Sequence, residues 1–97
     1  MSVIETTTFR LLVGADEDAF LAADTRVQTE FIPNHSGFLR RTTARGEDGE
    51  WIVVTLWASA PDADASAGRA GASAVMGQYM ALLEPASVQT RRYATLD

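Results

Sequence analysis

Along residues 2–12, SVIETTTFRLL, apolar side chains sit at both ends and threonines in the middle. Val3, Glu5, Thr7, Phe9 and Leu11 fall on one side of an extended chain, Ile4, Thr6, Thr8, Arg10 and Leu12 on the other. This β-branched and aromatic content predicts a strand, which Gly14 closes. The period then changes. Phe20, Ala23, Val27 and Phe31 recur at steps of three and four, the stripe of an amphipathic helix. Asp16 stands where an N-cap is needed, and Glu17 and Asp18 occupy the first turn, where the helix dipole favours acids. Pro33 disfavours helical geometry at Ile32, so the helix is expected over 17–31.

Asn34-His35-Ser36-Gly37 reads as a loop, Phe38 to Arg45 as a second strand, and Gly46-Glu47-Asp48-Gly49 as a turn. WIVVTLWA at 51–58 is the strongest strand signal, and strands two and three should pair as a hairpin across the turn. Ser59-Ala60-Pro61-Asp62 resembles a capping box with proline just inside the helix start. Residues 60–74 are mostly small, and Gly68 and Gly71 predict a break or a loose segment, a candidate lid. A helix resumes near Ala72, with Val75, Tyr79 and Leu82 on one stripe and Met76, Met80 and Leu83 on the next. Glu84-Pro85 ends it, and 87–95 reads as the last strand.

The order strand, helix, strand, strand, helix, strand is the split pattern of ferredoxin-like folds. The expected architecture is a single α+β domain over 1–97: a βαββαβ chain forming a four-stranded antiparallel sheet with two helices on one face. The third strand then poses a problem. Trp51, Val53, Thr55 and Trp57 point one way and Ile52, Val54 and Leu56 the other, and neither set is polar. One set must face away from the helices, and an apolar patch of that kind usually marks an interface. A homodimer with two sheets packed face to face is the expectation.

Composition narrows the function classes. The chain has no cysteine and one histidine, so disulfides, thiolate sites and closed His/Cys zinc sites within one chain are excluded, and no metal is expected. Eight arginines, no lysine and thirteen acids give a net charge of −5, which speaks against nucleic-acid binding. RNA-recognition modules share this strand order, but they need repeated aromatics on the central strands in a basic setting, and the nearest stretch, Gly37-Phe38-Leu39-Arg40-Arg41, has one. No apolar run approaches the roughly 20 residues that span a bilayer, and no signal peptide is visible, so no membrane partner and a cytoplasmic location are expected.

Three features together carry a resemblance. They are the loop Asn34-His35-Ser36-Gly37-Phe38 before strand two, the third strand ending in Trp57 and followed by Ser59 and an acidic, alanine-rich helix start, and Tyr79-Met80-Ala81-Leu82-Leu83-Glu84-Pro85 before the last strand. The chain resembles the dimeric α+β barrel superfamily, and within it the antibiotic biosynthesis monooxygenase-like domains. That resemblance implies a homodimer, a pocket between sheet and helices in each subunit, and oxidation of aromatic or quinol-type substrates by dioxygen with no cofactor. Trp57 matches the third-strand tryptophan that often borders the pocket. The related haem-degrading branch uses a histidine on the second helix and an asparagine on the first strand. This chain has neither, which argues against haem degradation.

Candidate catalytic residues are His35, Trp57 and Tyr79. His35 alone has an unperturbed pKa near neutrality and is a general base for removing a phenolic proton. Trp57 can stack on an aromatic ring, and Tyr79 brings a hydroxyl to the core side of its helix. Asn34, Phe38, Arg40, Met76 and Met80 are the candidate substrate-binding residues. Of Arg40 and Arg41, and of Arg91 and Arg92, at least one each must face a buried layer and needs a carboxylate, with Glu5 or Glu50 available. Two rivals stand beside the oxygenase: a non-catalytic small-molecule-binding or accessory homodimer, and isomerase or cyclase chemistry with His35 as the base. The expected ligand in each case is small and apolar or aromatic.

Overall fold

In the computed structural model, which describes residues 1–97, strand β1 (Val3–Phe9) runs down the middle of the sheet between β3 (Trp51–Trp57) and β4 (Gln89–Ala94). Strand β2 (Phe38–Arg45) pairs with the far side of β3, giving the order β2-β3-β1-β4 with every pair antiparallel. Helix α1 (Glu17–Arg26) follows β1, and helices α2 (Ala60–Ala70) and α3 (Ala74–Met80) follow β3. This is the ferredoxin-like arrangement anticipated from the sequence.

The local signals behave as their chemistry requires. Asp16 caps α1, its side chain accepting the Asp18 amide, and Ser59 caps α2 by accepting the Asp62 amide. The first helical segment reaches Phe31, but its last five residues, Val27–Phe31, form a π-helical turn before Pro33 stops the chain. The expected break after β3 falls at one of the two candidate glycines: Gly68 is helical, and α2 ends at Gly71 before Ser73 caps α3. Strand β1 is shorter than its sequence pattern: it ends at Phe9, and Leu11 makes an isolated bridge to Leu83 outside the sheet. No helix is long and apolar enough to cross a membrane.

Register settles which side of β3 is covered. Trp51, Val53, Thr55 and Trp57 are buried beneath the helices, while Ile52, Val54 and Leu56 lie on the open face. Opposite them on β1, Val3, Glu5, Thr7 and Phe9 face the helices. Two apolar clusters form on the covered side. Phe9, Phe20, Val27, Trp51, Val53, Tyr79 and Leu83 make the larger one, with the Phe20 ring centroid 4.8 Å from that of Trp51 and 5.5 Å from that of Tyr79. Val3, Ile32, Trp57 and Ala63 make the smaller one at the other end of the sheet.

Candidate active site

Between the two clusters lies a cavity of about 220 Å³, bordered by Val27, Val53, Tyr79 and Leu83 of one and Ile32, Trp57 and Ala63 of the other. Its cause is legible in α2, which contributes Ala63, Ser66, Ala67 and Ala70 to the lining. Side chains of one or two heavy atoms cannot reach the sheet. The wall is mostly apolar, completed by Phe31, Met76 and Met80, with polar groups from Glu5, Thr7, Arg41, Thr55 and Thr90 of the sheet.

Trp57 is 2% exposed, and its indole Nε1 is the one buried side-chain nitrogen or oxygen without a hydrogen-bond partner. A buried donor without a partner costs about 1–3 kcal/mol. Arg41 is buried and donates to Asp24 Oδ1 at 2.8 Å and to Gln28 Oε1 at 3.3 Å, while Thr43 Oγ1 donates to the same Asp24 oxygen at 2.9 Å. The Arg41 guanidinium carbon stands 5.9 Å from the Tyr79 ring centroid. Burial pushes the Tyr79 phenol well above its ordinary pKa; the Arg41 charge opposes this and Asp24 adds to it. Tyr79 is therefore a protonated phenol at neutral pH, a hydrogen-bond donor and not a base. Glu5 accepts from Arg92 at 3.0 Å, and Arg92 also donates to Asp64 at 2.8 Å, the ion pair anticipated for the inward arginine of β4.

Of the eight residues singled out from the sequence, Trp57, Tyr79, Met76 and Met80 line the cavity. His35 stands one layer behind it. Its Nδ1 is 2.7 Å from Ser66 Oγ, and its ring meets the Phe31 ring edge-on at 4.4 Å. Phe38 packs against Trp57, with centroids 5.8 Å apart, and supports that indole from behind. Asn34 is exposed in the loop and is not among the lining residues. Arg40 does not contribute either. It pairs with Leu56, whose side chain is on the open face, so Arg40 points away from the cavity and Arg41 takes the inward position. A bulge between Phe38 and Arg40 shifts the alternation by one residue, which the sequence pattern did not reveal.

The sequence also left unremarked the residues that give the site its polarity. Asp24 and Gln28 are four apart on the first helical segment, facing Arg41, and Ser66 is the one hydroxyl of α2 to line the cavity. An inward arginine on β2 required a carboxylate, and Asp24 and Glu30 were the unassigned acids of the preceding helix; Asp24 meets Arg41 and Glu30 pairs with Arg26.

No protein-family model matches the sequence, and no curated protein matches it. Solved structures do. SnoaB, a cofactor-independent oxygenase from Streptomyces nogalater, superposes with a TM-score of 0.82 at 15% identity, covering 99% of this chain and 94% of the other. A Chloroflexus aurantiacus protein assigned to the antibiotic biosynthesis monooxygenases gives 0.75 at 15% identity over 100% and 95%. One from Nitrosomonas europaea with the same assignment gives 0.72 at 17% over 98% and 90%. Over nearly its whole length, the chain has the ferredoxin-like α+β fold of antibiotic biosynthesis monooxygenase-like proteins.

Proposed function

We propose that this protein is a cofactor-independent monooxygenase that oxidises a small, flat quinol-type or related aromatic molecule with dioxygen. The observation that carries the proposal is the apolar cavity with the aromatic rings of Trp57 and Tyr79 in its wall. Its volume of about 220 Å³ lies below the roughly 300–1,000 Å³ of sites for drug-sized ligands, which favours one or two rings. An aromatic ligand packs against Trp57 and Tyr79 and meets the cavity's polar groups with its oxygen. Ionisation of its hydroxyl or enol gives an electron-rich anion able to reduce dioxygen directly. Where a CH2 becomes a carbonyl, one oxygen atom enters the product, the other leaves as water, and the substrate supplies all four electrons. The shared fold with SnoaB is consistent with this chemistry.

Turnover of a panel of naphthoquinols and anthrones, measured in air and under nitrogen, tests the proposal. Oxygen-dependent product formation, strongest for the smaller members and lost in Trp57→Ala, is the expected result. Product formed at the same rate without oxygen would overturn it. The placement of His35 behind the lining favours a second reading, a non-catalytic carrier of the same ligand class. A ligand held unchanged in air by purified protein would establish that alternative.

We further infer that the protein works as a homodimer through its open sheet face. Ile4 of β1 and Ile52, Val54 and Leu56 of β3 form a contiguous apolar row there, extended by Tyr93 of β4, which is half exposed. Burying such side chains is worth about 1.5–3 kcal/mol each. Light scattering should give twice the 10.5 kDa chain mass, and Leu56→Lys should give the monomer.

A further inference from the structure

We propose that Ser66 and His35 form a proton relay through which a hydroxylated ligand in the cavity is ionised. The relay rests on the reading that the cavity takes a hydroxylated aromatic, and it assigns the base that the lining itself lacks. Tyr79 is protonated and Glu5 is engaged by Arg92. Arg41 is held by Asp24 and Gln28.

Ser66 is buried in the wall of the cavity, and the hydrogen bond its side chain makes is to His35 Nδ1, at 2.7 Å. A serine inside a helix commonly turns its hydroxyl back to the carbonyl four residues earlier; Ser66 is instead turned to a loop residue 31 positions away in sequence. The loop is held for this contact. The Ala58 amide donates to the Gly37 carbonyl, the Phe38 amide donates to the His35 carbonyl, and the Phe31 ring abuts the imidazole.

The state of the imidazole fits the role. Burial lowers the His35 pKa, and the positive charge of Arg69, one turn beyond Ser66 on α2, lowers it further. The ring is therefore neutral at pH 7 and its Nδ1 can accept. In the resting tautomer the Ser66 hydroxyl donates to Nδ1. On transfer the ligand O–H breaks as its proton goes to Ser66 Oγ, and the former Ser66 proton moves to Nδ1. A ligand oxyanion and an imidazolium result. His35 is only partly buried, so the imidazolium can release a proton to solvent, and its low pKa favours that release. The Nδ1–H then donates to Oγ while Ser66 donates to the oxyanion, so the same two groups that remove the proton stabilise the product. Ser66 touches the ligand; His35 is a positioning residue acting through it.

The test uses 4-nitrophenol, whose absorbance distinguishes phenol from phenolate, bound to the intact protein across pH 5–9. In the wild type the bound probe should ionise about one pH unit below the free probe, a tenfold change in its ionisation constant. Ser66→Ala should abolish the shift. His35→Asn keeps a hydrogen-bonding atom at the Nδ1 position but cannot exchange a proton, so it should also abolish the shift while leaving the melting temperature close to wild type. A nitrogen-15 NMR titration of the single histidine, with no ligand present, should give a midpoint below 6.5 and a proton on Nε2 at pH 7. An unshifted probe, no probe binding, a wild-type shift in His35→Asn, or a histidine midpoint at or above 6.5 would each overturn the relay. A probe shift retained alongside oxygen-indifferent turnover would instead remove the oxygenase reading and leave the relay in place.

Discussion

Replacing Gly37 by alanine perturbs the site at its base, and the cost can be worked from two independent terms. Gly37 has φ +77°, a left-handed conformation that costs an L residue about 1–2 kcal/mol. A Cβ built there would also lie 2.6 Å from Cβ of Asp62, so the side chain of Asp62 must move. That movement breaks the 2.7 Å hydrogen bond from Ser59 Oγ to Asp62 at the start of α2, worth about 0.5–1.5 kcal/mol. The sum, about 1.5–3.5 kcal/mol, corresponds to a melting temperature lowered by roughly 7–17 °C for a chain of this size. Thermal and urea unfolding of Gly37→Ala, Asp62→Gly and the double variant measure the two terms separately. In the Asp62→Gly background no Cβ stands at position 62, the clash is gone, and the cost of Gly37→Ala should fall to the backbone term alone. Gly71→Ala is the control. Its φ of −64° is helical and no atom lies within 4 Å of a new Cβ, so the substitution should be neutral or slightly stabilising. A Gly37→Ala protein that melts with the wild type, or a cost unchanged in the Asp62→Gly background, would refute the reasoning.

Arg41→Met leaves Asp24 half-enclosed and unpaired and should lower stability by about 2–4 kcal/mol in urea unfolding. Arg45→Met, which breaks an exposed pair with Glu17 and a cation–π contact with the Trp51 ring, should lower it by no more than about 1.5 kcal/mol. Because the His35 pKa is lower in the folded chain, the unfolded chain binds more protons between the folded and unfolded values. Stability should therefore fall as pH drops from about 6.5 through the folded midpoint, and His35→Asn should flatten that part of the profile. Ala70→Leu places a larger side chain in the cavity wall and should weaken 1-naphthol binding at least tenfold in calorimetry while changing stability by no more than about 1 kcal/mol.

Much of this arrangement was visible in the residues. The period change between Phe9 and Phe20, the caps at Asp16 and Ser59, and the unbroken apolar run of β3 gave the element order, because each reflects a local preference that the packed structure keeps. Trp57, Tyr79, Met76 and Met80 reached the cavity because they lie on the inward side of their elements. Arg40 failed because a single-residue bulge reverses every facing after Phe38, and nothing in FLRRTTAR marks it. The π-helical turn at 27–31 was equally silent, since it preserves the apolar spacing of an α-helix closely enough. The small residues of 60–74 predicted the break that falls at Gly71, but not that the alanines of α2 would themselves leave the hollow beneath it. Pairings between distant segments, Ser66 with His35 and Arg41 with Asp24, depend on the assembled fold and carry no local signal.

The central claim is that the hollow beneath α2 holds a flat aromatic molecule against the indole of Trp57. The most direct measurement is the proton–nitrogen spectrum of the two tryptophan indoles during titration with 1-naphthol, assigned with Trp57→Phe. The account expects the Trp57 indole signal to move and saturate at one naphthol per chain, with the Trp51 signal nearly still. A stationary Trp57 signal, or a shift confined to Trp51, would contradict it.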